Sequence, residues 1–285
     1  VNDSPAHEDE YLDLQYNPRL RVPDFAAIFS RWKTQAKLTA ASIEIRRDLP
    51  YGPAIVERLD FFRSNHDRSP LLIFLHGGYW RALDKSDFSW IAAPYVQSGV
   101  SVAVVNYGLM PSTPLDQIVQ QARHACAWLY NNADALGVRS SEIFCSGHSA
   151  GGHLTAMMLA TDWKLAGTGL PRRLLAGGIA ISGLFDLDPL ARAPFLRDDL
   201  RLDADGVRRL SPVQLPLLNE APLVRALGAL ESEEFHRQSQ VIARAWPAAC
   251  QSELMRIPDC NHMTVCDALA DPQAKLFAAA RALIG

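Results

Sequence analysis

GHSAGGH, residues 147–153, holds one serine with a glycine two positions before it and another two positions after it. The residues ahead, EIFC (142–145), read as the end of a buried strand, and HLTAMMLAT (153–161) reads as a helix. A chain that passes from strand to helix at a single serine turns sharply there, which crowds the positions two before and two after against neighbouring elements. Glycine at 147 and 151 removes the two side chains that would collide. The same turn lifts the Ser149 hydroxyl clear of the sheet. It also puts the amide of Ala150 in the first turn of the helix, where unpaired N–H groups and the helix dipole favour developing negative charge.

Working outward, LLIFLHGG (71–78) and VSVAVVNYG (100–108) have the form of EIFCSGHS (142–149), a short apolar run ending in turn residues, which suits a strand buried on both faces. LLAGGIAISG (174–183), APLVRALGA (221–229) and SELMRIPDC (252–260) are three further strand candidates. Between them SDFSWIAAPYVQSG (86–99), TPLDQIVQQARHACAWLYNNADALG (113–137) and ADPQAKLFAAARALI (270–284) carry apolar residues at helical spacing. The alternation predicts the α/β class, with a mostly parallel central sheet, helices on both faces and a ligand site beyond the carboxyl ends of the strands. The chain reads as a single domain, residues 1–285, in which two segments break the pattern. Residues 1–40, an irregular lead-in followed by a helix, read as an N-terminal covering segment, and residues 186–220 as a small cap insertion.

Composition limits the partners. Hydrophobic residues make up 48% of the chain and charged residues 21%, with a net charge of −3 and no long basic run. That is ample material for one core, and it offers no electrostatic footprint for nucleic acid or an anionic membrane. Five cysteines at irregular spacing, without a CxxC pair, suggest neither zinc nor a disulfide framework. The start is polar and acidic, unlike a signal peptide, and no apolar run approaches the roughly 18 residues that cross a bilayer. The expectation is a cytoplasmic protein acting on a small molecule without metal or cofactor, with a homodimer left open.

HGGYW (76–80) follows an earlier strand and should lie beside the serine turn, offering the N–H groups of Gly78 and Tyr79 to a substrate oxygen. With the Ala150 N–H these would form an oxyanion hole, each donor worth about 3 kcal/mol in a transition state. A serine hydroxyl needs a base to take its proton and an acid to orient that base. Of eight histidines, His262 in IPDCNHMTV (257–265) follows the last strand, where a loop can deliver it to the sheet edge. His76, His148 and His153 read instead as structural hydrogen-bonding groups. The acid should follow the preceding strand, where ALGALESEEF (226–235) offers Glu231, Glu233 and Glu234. Glu231 comes first after the Gly228 turn, while the other two look like the opening of a helix. The order Ser149, Glu231, His262 is the one that accompanies a serine elbow of this kind.

At these residues the chain resembles the α/β-hydrolase fold, and within it the kynurenine formamidase (arylformamidase) branch near the hormone-sensitive-lipase-like esterases. HGGYW, GHSAGGH, ISGLFDL (181–187), LSPV (210–213), ESEEFHRQS (231–239) and NHM (261–263) are similar to that family's landmarks in order, as is QYNPR (15–19). The resemblance implies Ser149 as nucleophile, Glu231 as acid and His262 as base. Two departures stand out, a glutamate at 231 where the family usually has aspartate, and Met263 where phenylalanine is common.

The chemistry implied is acyl transfer to water, cleaving the amide of an N-formyl arylamine such as N-formylkynurenine, with Tyr79, Trp80 and Phe185 as candidate aromatic walls. A carboxylesterase for small aryl or alkyl esters would use the same three groups. A catalytically dead hydrolase fold serving as a binding module predicts a broken triad, whereas all three residue types are present.

Overall fold

Side-chain type decides which strands lie at the centre. In the computed structural model, which describes residues 5–218 and 220–285, every residue of Ser69–Leu75 and of Ser101–Val105 is buried. Eight strands form one sheet: β1 (Ile45–Pro50), β2 (Arg58–Phe62), β3 (Ser69–Leu75), β4 (Ser101–Val105), β5 (Val138–His148), β6 (Gly177–Ile181), β7 (Leu223–Gly228) and β8 (Met255–Ile257). Their order is β1-β2-β4-β3-β5-β6-β7-β8. Only β2 runs against the rest, pairing antiparallel with both β1 and β4. Parallel pairing from β4 through to β8 aligns the carboxyl ends of six strands, and the loops that leave those ends carry the candidate site.

Two apolar clusters cover the faces. On one, the helices Leu115–Asn131, Ala150–Leu159 and Glu233–Ala245 pack on Leu71, Ile73 and Leu75; on the other, Phe25–Ser42, Ala92–Gln97 and Lys275–Ile284 pack on Leu72 and Phe74. The period-two alternation along β3 thus feeds both cores.

Several expectations need correction. β1 and β2 lie outside the six strand candidates. β1 is an edge strand carrying Arg46, Arg47 and Asp48, mostly exposed, so it shows no apolar run. In β2 the fully buried Asp60 interrupts the run. The segment 86–99 is helical only at its end: two 3-10 turns, Lys85–Asp87 and Ser89–Ile91, precede Ala92–Gln97, the first held by a capping box between Asp84 and Asp87. The lead-in is not irregular either, since Pro5–Tyr16 and Pro18–Arg21 are helical ahead of Phe25–Ser42. Three short helices, Asp188–Arg192, Pro194–Leu200 and Ala204–Leu210, occupy the segment read as a cap. Positions 1–4 of the covering segment and 219 of the cap lie outside the described residues. No helix among the described residues is long and apolar enough to cross a membrane.

Asp60 is matched by a buried cation. Lys85 Nζ lies 2.7 Å from Asp60 Oδ1 and 2.8 Å from Asp48 Oδ1. Burial alone would push the Lys85 ammonium pKa down, but the hydrogen bonds and charges of Asp48 and Asp60 outweigh it and hold the pKa above its ordinary value. Replacing one member of such a pair strands the other charge in the interior. Lys85→Met is therefore expected to lower unfolding stability by about 3–5 kcal/mol in urea titrations. A loss below about 1 kcal/mol would mean that the pair behaves as a surface salt bridge.

Candidate active site

β5 ends at His148 and the next helix begins at Ala150, so Ser149 alone makes the turn. Its φ of 57° and ψ of −116° lie where a residue with a Cβ is strained by roughly 1–3 kcal/mol. The Ser149 N–H donates to the Ile181 carbonyl at 2.8 Å, which ties the turn to β6. A Cβ on Gly147 would come within 2.2 Å of the Gly151 carbonyl oxygen, and one on Gly151 within 1.9 Å of the Leu75 oxygen. Both are backbone atoms that cannot give way, so any larger residue would push the helix off the sheet.

The structure brings Ser149, His262 and Glu231 together from three different strand ends. His262 Nε2 lies 3.0 Å from Ser149 Oγ, and His262 Nδ1 lies 2.7 Å from Glu231 Oε2. The other oxygen, Glu231 Oε1, accepts from the Gly228 N–H at 2.7 Å and from the Ser182 hydroxyl at 2.5 Å. Glu231 sits in the turn after β7 and His262 in the loop after β8. Glu233 and Glu234 open the helix Glu233–Ala245.

His148 steadies this arrangement. Its Nε2 is 2.6 Å from the His262 carbonyl oxygen, which can only accept, so Nε2 carries the proton. Burial, reinforced by the neighbouring His262, holds the His148 pKa well below the usual imidazole range, so the ring is neutral. His76 donates through Nδ1 to the Gly77 carbonyl at 2.8 Å and stacks on Tyr107 with ring centroids 4.2 Å apart. His153 donates through Nε2 to the Leu210 carbonyl at 2.8 Å; burial pushes its pKa down to about 4.

HGGYW leaves β3 with three consecutive residues at positive φ, Gly78 at 103°, Tyr79 at 51° and Trp80 at 54°. At Gly78 a Cβ would also meet the Ala82 carbonyl oxygen at 2.2 Å. Among the described residues, the N–H groups of Gly78, Tyr79 and Ala150 meet no protein acceptor. Gly78 and Tyr79 follow the end of β3, which pairs with β5, and Ala150 directly follows Ser149.

Above these groups opens a cleft of about 670 Å³, its mouth included, with Ser149, His148 and His262 in its floor. Of the three expected aromatic walls, only Tyr79 lines it. Trp80 is fully buried and packs edge-on against His153 with centroids 5.0 Å apart, and Phe185 is buried in the core, filling the space where Gly183 lacks a side chain. The walls come instead from Phe29 and Trp32 of the helix Phe25–Ser42, Phe195, Leu83 and Met263. Phe29 and Trp32 lie in the covering segment 1–40 and Phe195 in the cap insertion 186–220, but of the five only Met263 is marked individually by the sequence.

The N-terminal segment is fastened to the rest by polar contacts. The Ser232 hydroxyl donates to the Gln15 carbonyl at 2.5 Å, and the Tyr16 hydroxyl donates to Glu234 Oε2 at 2.5 Å while accepting from Gln238 Nε2 at 2.9 Å. Burial, with Glu234 beside it, raises the Tyr16 pKa, so the phenol remains a donor. The Tyr79 hydroxyl donates to the Tyr16 carbonyl. QYNPR and ESEEFHRQS are thus two halves of one joint. Among the described residues no group of three or more metal-ligating side chains forms.

Comparison with known proteins gives consistent relatives. The family model BD-FAE matches residues 59–167. A kynurenine formamidase of Danio rerio is 28% identical over 285 residues, covering 95% of this chain and 94% of that protein. One from Salmo salar is 31% identical over 233 residues, covering 79% and 76%. A solved structure from Silicibacter sp. tm1040, provisionally described as a thioesterase, is 30% identical, covers 92% of this chain and 96% of its own, and superposes with a TM-score of 0.81. With its mostly parallel sheet and the serine at the strand-to-helix turn, the chain is a serine hydrolase and belongs to the kynurenine formamidase family of α/β-hydrolases.

Proposed function

We propose that this enzyme cleaves the carbon–nitrogen amide bond of an N-formyl arylamine of the N-formylkynurenine type, with Ser149, His262 and Glu231 as its catalytic residues. The observation that carries the reading is the unbroken relay from Ser149 Oγ through His262 to Glu231, with steps of 3.0 and 2.7 Å, at the floor of an aromatic-walled cleft. The names of the relatives, kynurenine formamidases, support the substrate class.

In this reading His262 Nε2 takes the proton as Ser149 Oγ attacks the formyl carbon, and Glu231 stabilises the imidazolium through Nδ1–H. The oxygen that becomes negative accepts hydrogen bonds from the amides of Gly78, Tyr79 and Ala150. His262 then delivers its proton to the arylamine nitrogen, which leaves. Water attacks the formyl ester on Ser149 with His262 again as base, releasing formate and restoring the serine. Phe29, Trp32, Tyr79 and Phe195 hold the aryl ring. The chain works as one domain, with the described residues of the covering segment, 5–40, and of the cap, 186–218 and 220, roofing the strand ends; His153 anchors the cap through Leu210. Five free thiols support the cytoplasm as its compartment.

A small formamide and a small ester present the same carbonyl to the relay, so the two are separated by kcat/KM measured on N-formylkynurenine and on p-nitrophenyl acetate. Higher kcat/KM on the formamide is expected. A strong ester preference with negligible formamide turnover would make the enzyme a carboxylesterase. On either substrate, Ser149→Ala is expected to lower kcat by about 10⁴ or more with the circular dichroism spectrum unchanged.

The hydroxyl of Ser182 holds the acid from behind. Ser182→Ala removes one of three hydrogen bonds to Glu231, and hydrogen bonds to charged groups are worth about 1.5–3 kcal/mol, so kcat is expected to fall by roughly ten- to hundredfold. Stopped assays at saturating substrate read this directly; an unchanged kcat would mean that Gly228 and His262 suffice to orient the carboxylate.

A further inference from the structure

The charges lining the cleft are unbalanced. Its lining includes two arginines, Arg19 and Arg81, and no acidic residue. Arg81 is satisfied by the protein itself, since its Nη1 lies 2.7 Å from both Asp199 Oδ2 and the Phe195 carbonyl oxygen. Arg19 is different. Among the described residues its side chain has no acidic partner, and its guanidinium carbon lies 5.3 Å from the centre of the Phe25 ring. Its backbone is nevertheless held in place. It lies in the short helix Pro18–Arg21, with the Asn17 side chain accepting the Arg19 N–H at 3.3 Å, directly after Tyr16, which is bonded to Glu234 and Gln238. An arginine whose backbone is held and whose side chain has no ion-pair partner, among the cleft residues Phe29, Trp32, Tyr79 and Phe195, suits a ligand that is aromatic in its body and carries a carboxylate at one end.

We propose that Arg19 is a specificity-determining residue that receives a carboxylate borne by the substrate's aryl leaving group, so that the enzyme selects acylated arylamines that bear such a carboxylate over those of equal reactivity that lack one. This rests on the hydrolase reading given above and narrows its substrate class. The guanidinium is exposed, so the attraction is screened by salt, and the selectivity should decline as ionic strength rises.

The test compares N-formylkynurenine with 2-formamidoacetophenone, which keeps the formamide and aryl ketone and lacks the amino-acid chain. The ratio of their kcat/KM values is measured for the wild type, Arg19→Gln and Arg19→Lys. The expected result is a ratio that falls by roughly tenfold in Arg19→Gln, chiefly through KM for the carboxylate-bearing substrate, with partial recovery in Arg19→Lys. A ratio unchanged by Arg19→Gln, whether both rates fall together or neither moves, would overturn the proposal, since an arginine that only braces the roof affects both substrates alike. Failure of the formamidase reading looks different, because neither formamide would then be turned over by the wild type. In that case phenyl acetate against 4-(carboxymethyl)phenyl acetate reads the same residue: a preference for the anionic ester lost in Arg19→Gln supports the proposal, and no preference overturns it.

Discussion

The structure depends on how closely one helix passes under the end of one strand. Gly151 lies so near the Leu75 carbonyl, and Gly147 so near the Gly151 carbonyl, that neither position has room for a Cβ. That approach fixes the start of the helix Ala150–Leu159 at the carboxyl end of β3, next to the loop that carries Gly78 and Tyr79. It also forces the turn into Ser149, whose positive φ is held by the hydrogen bond to Ile181. All ten residues of that helix are buried, so packing on both sides of the turn offsets the strain. The serine, the loop that carries Gly78 and Tyr79 and the start of the helix are consequently held at one end of the sheet by close backbone packing.

The remaining parts of the site come from farther along the chain, and polar contacts set their positions. Gln238 is the centre of this network. Its Oε1 accepts the N–H groups of Phe185 and Asp186 at 2.7 and 2.8 Å, while its Nε2 donates to the Asp186 carbonyl and to Tyr16. Arg237 bridges Asp186 and Glu234 at 2.9 and 2.7 Å. One helix turn thereby links the N-terminal segment, the loop after β6 and the turn that carries Glu231. Buried networks of this kind are stable when each member is satisfied, and this one joins three segments whose apolar contacts alone would leave their register loose.

The legibility of the sequence follows the range of the interactions. β3 to β7 are readable because continuous apolar runs between turns have one common explanation, a strand covered on both faces. β1 and β2 are hidden because an exposed edge carries charges and because Asp60 is compensated by Lys85, twenty-five positions away. GHSAGGH and HGGYW are readable because a tight turn leaves a local mark in glycine. The cleft walls are not. Tyr79 and Trp80 are adjacent, yet one lines the cleft and the other is buried beside His153, and both have a left-handed backbone, so no alternation rule assigns their directions. Phe29 and Trp32 stand on the helix that follows the lead-in and Phe195 in the cap, but tertiary packing alone decides which of their side chains reach the cleft. Trp32, for instance, is positioned by its Nε1–H bond of 2.6 Å to Asp267.

Catalysis by this relay requires that His262 and Glu231 make the Ser149 hydroxyl nucleophilic within this fold. Stoichiometric reaction with a p-nitrophenyl phosphonate, followed by peptide mass spectrometry, measures that property without reference to any natural substrate. One adduct per chain is expected on the peptide containing Ser149, formed with release of one equivalent of nitrophenol and slowed by orders of magnitude in His262→Ala. Labelling at another residue, or a rate at Ser149 that does not respond to loss of the His262 imidazole, would contradict it.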